Sequence, residues 1–108
     1  MQKQMRDGLT CTVTDRGFPF ISFEDQYGET CSLQISSLAG EQASCWLGVT
    51  TPTIQVMVPG KGWHPVKLPE GAVVNSRMHL NQDQVRALLP HLQAFANSGE
   101  FDFNPISA

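Results

Sequence analysis

From Leu9 to Leu80 the chain is a series of short runs in which apolar residues recur at every second position, broken by glycine, proline and acidic residues. That alternation is the period of a half-buried strand, and repeated turn signals between the runs predict an antiparallel sheet or a partly open barrel. Leu9–Thr14 is the first expected strand, ended by Asp15-Arg16-Gly17. Phe18–Phe23 is the second; Pro19 cannot donate to a ladder, so it marks a strand start or an edge. A hairpin turn is expected over 24–29, with Gly28 supplying a positive φ. In "TCSLQIS", Cys31, Leu33 and Ile35 share a core side, whereas Thr30, Ser32, Gln34 and Ser36 share a polar side. In "ASCWLGV", Ala43, Cys45, Leu47 and Val49 oppose Ser44, Trp46 and Gly48. "TIQVMV" predicts a fifth strand ending at Pro59-Gly60, and the Gly- and Pro-rich 59–72 region reads as loop. "VVNSRMHL" predicts a sixth strand, with Val74, Ser76, Met78 and Leu80 on its core side.

After Leu80 the period changes. Val85, Leu88, Leu89, Leu92, Phe95 and Ala96 follow helical spacing, which predicts an amphipathic helix over 81–98 with one stripe packed on the sheet. Asn81 can cap it, Gln84 stands three residues on to complete a capping box, and Gly99 is a natural stop. Pro90 removes one hydrogen bond inside this helix, so a kink near Leu89 or a pair of short helices is expected. The resulting class is α+β: an antiparallel sheet or partly open barrel of about six short strands with a C-terminal amphipathic helix kinked at Pro90. One domain is expected over 1–108, with a β core at 9–80, the helix at 81–98 and a tail at 99–108.

Composition narrows the function classes. With 41% hydrophobic and 16% charged residues the chain reads as a globular protein, and no apolar run reaches membrane-spanning length. "MQKQMRDGLT" carries positive charge without an apolar segment after it, so it does not read as a secretory signal. A formal net charge of -3 argues against wrapping a nucleic-acid polymer, but leaves room for a small anion held by a few local cations. Cys11, Cys31 and Cys45 have no redox-pair or zinc-finger spacing and are expected to be buried thiols in a reducing cytoplasm. No cofactor is implied.

Catalytic motifs are missing from the sequence: it has no Gly-x-Ser-x-Gly, no His-Glu-x-x-His and no phosphate loop, and an enzyme is not expected. His64, His79 and His91 stand apart, and no carboxylate or thiol at ligand spacing supports a metal site at His79 and His91. The richer material is "SRMHLNQDQV". Alternation puts Asn75, Arg77 and His79 on one side of the last strand, just before the helix start at Asn81. A fixed cation, an imidazole and unpaired helix N–H groups suit a phosphate or carboxylate, although Asp83 already adds negative charge there. The plainer alternative is that Arg77 and His79 are exposed strand residues and Asn81 only caps. Ser32, Gln34, Ser36 and Ser37 form a second polar group, and Trp46 lies on the polar side of the neighbouring strand. A flat ring among neutral donors and acceptors suits a nucleobase and ribose; otherwise Trp46 covers the second sheet face or an interface. Trp63 reads as a lid or a loop anchor.

Two segments carry a family resemblance. "DQYGETCSLQISSLA" with "CWLG", and "GW" with "RMHLNQDQVRALLPHLQAFANSGE", resemble the Tyr-Gly…Cys-Ser-Leu-Gln-x-Ser-Ser-Leu-Ala…Trp-Leu-Gly pattern and the C-terminal half of a family of small bacteriophage proteins. They span about Asp25–Gly48 and Ser76–Glu100, while 49–72 and the tail after Glu100 do not follow the pattern. The architecture is similar to that of Thoeris anti-defence proteins, sponges that sequester cyclic ADP-ribose-type signals or cyclic oligonucleotides. The resemblance implies a phage anti-defence protein in the host cytoplasm that captures a nucleotide immune signal without cleaving it. Arg77, His79 and Asn81 would hold phosphates, Trp46 or Trp63 would stack the base, and Gln34, Ser36 and Ser37 would meet the ribose. The alternatives are a protein–protein inhibitor of a host defence enzyme, such as an anti-CRISPR, and a phage accessory or structural protein. One helix leaves a sheet face poorly covered, and Trp46 with Phe101 and Phe103 offers apolar surface, so a homodimer or higher homo-oligomer is expected.

Overall fold

The computed structural model describes residues 4–37 and 42–101, apart from the side chains of Gln4 and Arg6. The expectation for Phe103 lies outside them. Eight strands precede one helix: β1 (Gln4–Arg6), β2 (Leu9–Val13), β3 (Pro19–Glu24), β4 (Thr30–Ile35), β5 (Ser44–Val49), β6 (Gln55–Val58), β7 (Gly62–Pro65), β8 (Arg77–Asn81) and α1 (Gln82–Ser98). Six strands form one antiparallel sheet in the order β1-β2-β3-β4-β5-β8, and β6 pairs with β7 alone. The class is therefore α+β. Of the two expected forms, the open sheet is the one adopted, because β1 and β8 are its edges and do not pair with each other.

Local chemistry accounts for most of these elements. Pro19 opens β3 opposite Val13, at the end of the ladder where its missing N–H costs nothing. Gly28 takes φ 85° in the β3–β4 turn, where the Asp25 carboxylate accepts from the N–H groups of Tyr27 and Glu29. Asn81 caps α1: its side chain accepts from the Gln84 N–H at 2.8 Å and the Gln84 side chain accepts from the Asn81 N–H at 3.0 Å. Gly99 ends the helix with its N–H on the Phe95 carbonyl.

Several expectations are corrected. A short strand, β1, lies ahead of the first expected one. The 59–72 region is not all loop: β7 folds back on β6, with Lys61 N–H closing the turn on the Val58 carbonyl at 2.9 Å. The fifth strand therefore leaves the main sheet, and the last strand starts at Arg77 rather than Val73. Helix α1 runs unbroken through Pro90, so the two-helix form is not taken; Arg86, whose carbonyl loses its partner, is exposed, and water can satisfy it. The helix does not lay its stripe across the sheet. It packs mainly on β8, and Val85, Leu88, Leu89, Leu92 and Phe95 all remain exposed.

The core differs accordingly. Opposed residues in antiparallel strands share a face, so Cys31, Leu33, Cys45, Leu47, Met78 and Leu80 lie on one side. Of these Cys31 is buried, but Ile35 at the strand end and Met78 are exposed. Cys11 and Cys45 are half-buried, and all three thiols are free. The most deeply buried residue is a polar one on the opposite face, Ser32, with no exposed surface.

Candidate functional site

The polar face is built by register. Gln34 lies opposite Trp46, and Trp46 opposite His79; one pair further along, Ser32 lies opposite Gly48, and Gly48 opposite Arg77. Strands β4, β5 and β8 thus bring to one face residues that are more than 40 positions apart in the chain.

Arg77 reaches across β5 to β4. Its Nη1 donates to Gln34 Oε1 at 2.8 Å and to Ser32 Oγ at 3.4 Å. Ser32 Oγ also accepts from Thr50 Oγ1 at 2.7 Å, so a fully buried hydroxyl anchors the guanidinium. Gly48 makes this crossing possible. A Cβ there would lie 2.5 Å from the Ser76 carbonyl oxygen and 2.9 Å from Arg77 Cα, and its φ of 149° disfavours any side chain. Beside this gap the Arg77 guanidinium stands 5.6 Å from the Trp46 ring centroid, within cation–π range. The Trp46 and His79 rings stack, with centroids 4.1 Å apart and planes 18° from parallel. His79 is exposed, so the stack ends in an open ring.

Charge distribution on this face is uneven. The only ion pair among the described residues joins Arg86 to Asp83, on the exposed helix surface. Arg77 is therefore held by neutral acceptors, and its Nε and Nη2 donate to no described residue. A hollow of about 200 Å³ adjoins it, lined by Trp46, Val49, Thr50, Val74, Asn75, Ser76 and Arg77. That volume suits a phosphate or a ribose rather than a whole nucleotide, whose base would lie outward along the His79 ring.

Of the residues expected at the site, the structure brings together Gln34, Trp46, Arg77 and His79. Ser36 is buried beyond the end of β4, its N–H on the Ser44 carbonyl, and Ser37 is exposed beside it. Asn81 is committed to its cap. The helix start is further occupied by Gln42, which accepts from the Asp83 N–H and donates to the Asp83 carboxylate at 2.7 Å. An anion has no free seat there, so the expected helix-terminus site gives way to Arg77. Trp63 lies on the β6–β7 hairpin, largely exposed, and not in the Arg77 cluster. Alternation sets Ser32 in the polar group with Gln34 but gives it no ligand contact, and it misses Thr50 and the role of Gly48. The one signal was that Gly48 and Trp46 share the polar side of β5. Among the described residues no three His, Cys, Asp or Glu side chains gather as a metal site would require. No protein-family model, curated protein or solved structure matches the chain.

Proposed function

We propose that this protein binds a small anionic nucleotide on the polar face of its sheet and holds it without cleaving it. The observation that carries this reading is Arg77: a guanidinium fixed by Gln34 and Ser32, facing no carboxylate among the described residues, with donors left over. A planar fork of that kind recognises phosphate bidentately and needs little reordering when the ligand arrives. The Trp46–His79 stack beside it supplies the aromatic surface that a base requires.

The resemblance of Asp25–Gly48 and Ser76–Glu100 to a phage family extends the proposal to the ligand's origin. The ligand is then a cyclic ADP-ribose-type or cyclic oligonucleotide immune signal, sequestered in the cytoplasm of an infected host. A second reading, inhibition of a host protein, is favoured by the β6–β7 hairpin, where Met57 and Trp63 oppose each other and are exposed. Calorimetry separates the two. Purified protein titrated with cyclic ADP-ribose isomers and with cyclic di- and trinucleotides is expected to give saturable heat with one of them, and that compound should be recovered chemically intact. No heat with any, at protein well above micromolar, would sink the proposal.

A further inference from the structure

The folded chain exposes far more surface than its mass requires. Its accessible area is 9065 Å², against about 6,000 Å² expected for a folded monomer of this size. Its radius of gyration is 17.6 Å, against about 13 Å for a compact chain of the same length. Apolar residues without a second layer contribute to it. On one side of α1, Leu89 and Leu92 are 56% and 55% exposed, and on the facing side of the sheet Met78 is 52% exposed.

Between the start of α1 and the sheet lies an open apolar cleft of about 420 Å³, with Ile35, Cys45 and Leu80 on the sheet side and Val85 and Leu89 on the helix side. A sheet face and a helix stripe are each other's ordinary cover, yet here the helix packs chiefly on the edge strand β8. From β2 to β8 this sheet face carries no charged residue, so two copies can meet on it without burying an unpaired charge.

We infer that the apolar sheet face and the α1 stripe together form a self-association surface, closed by a second copy of this chain in a two-fold arrangement. In such an isologous pair the stripe of each copy covers the open sheet of the other, and both unpartnered surfaces disappear at once. The chain exposes roughly 3,000 Å² more than a compact monomer, room for the roughly 1,000–2,500 Å² that each partner of a stable obligate dimer buries. The polar face with Arg77 lies on the other side of the sheet, so this inference stands whether or not a nucleotide binds there.

Light scattering on a sizing column tests it. The wild-type chain should elute at twice its 11.9 kDa mass or a higher even multiple. The Leu89→Glu/Leu92→Glu protein should elute at the monomer mass with its helical circular dichroism retained, because both residues are already more than half exposed in the single chain. Met78→Glu, on the sheet side, should shift the mass in the same direction. A monomeric wild type at about 100 μM, outside the range in which obligate dimers dissociate, would overturn the inference. So would glutamate variants that stay folded at the wild-type mass, or a monomer whose native mass spectrum carries a bound peptide or lipid.

Discussion

Gly48→Ala is expected to be the most damaging single-methyl change in the protein. The added Cβ would lie 2.5 Å from the Ser76 carbonyl and 2.9 Å from Arg77 Cα, both backbone atoms that cannot swing away. Relief requires β8 to move off β5, which breaks the Ser76 hydroxyl's hydrogen bond to the Val49 carbonyl and withdraws Arg77 from Gln34. Overpacking of this kind costs about 1–3 kcal/mol, and a residue forced into a φ suited to glycine costs on the order of 1–3 kcal/mol more. The melting temperature should therefore fall by on the order of 10–20 °C in a domain of this size. Gly17→Ala is the control. Gly17 has φ 86° but no atom within 4 Å of its added Cβ, so it should lose only the backbone part. Equal melting of the Gly48→Ala and wild-type proteins would show that the close approach of β8 is not real.

Arg77→Gln should weaken binding strongly while leaving the fold nearly intact. Glutamine keeps some of the length and polarity that meet Ser32 and Gln34, but loses the charge and the planar fork. Hydrogen bonds to a charged group contribute about 1.5–3 kcal/mol, and each 1.4 kcal/mol is tenfold in affinity, so a loss of about 10- to 150-fold is expected. Arg77→Lys should fall between the two, since it keeps the charge as a point but not the bidentate geometry. Calorimetry gives the affinities and a thermal melt gives the stability. A variant that binds as tightly as wild type would place the ligand elsewhere.

The sequence shows local features better than pairings. The cap at Asn81, the alternation in β4 and the β3–β4 hairpin were each legible because a few adjacent residues determine them. The β6–β7 hairpin was not, since Gly60, Gly62 and Pro65 mark it as irregular and only the pairing of Gln55–Val58 with Gly62–Pro65 makes it a ladder. The helix stripe was read correctly as apolar and wrongly as covered, because periodicity says which residues seek a partner and not whether the same chain supplies it. At the candidate site, alternation placed Arg77 with His79 on one face of β8 and Trp46 on the polar face of β5, without joining the two. It could not say that Gly48 would separate Arg77 from Ser32, which depends on the register of three strands distant in sequence.

The most direct measurement of the central claim uses tryptophan emission. The chain has two tryptophans, so Trp63→Phe leaves Trp46 as the sole reporter, in the middle of the candidate site. Titrating this protein with cyclic ADP-ribose isomers and cyclic di- and trinucleotides should change Trp46 emission saturably with one of them. The same titration of the Trp63→Phe/Arg77→Gln protein should be shifted to at least about tenfold higher concentration, the lower bound expected for losing the charged contact. An emission unchanged by every nucleotide, or a response indifferent to Arg77, would contradict the assignment of this face as the ligand site.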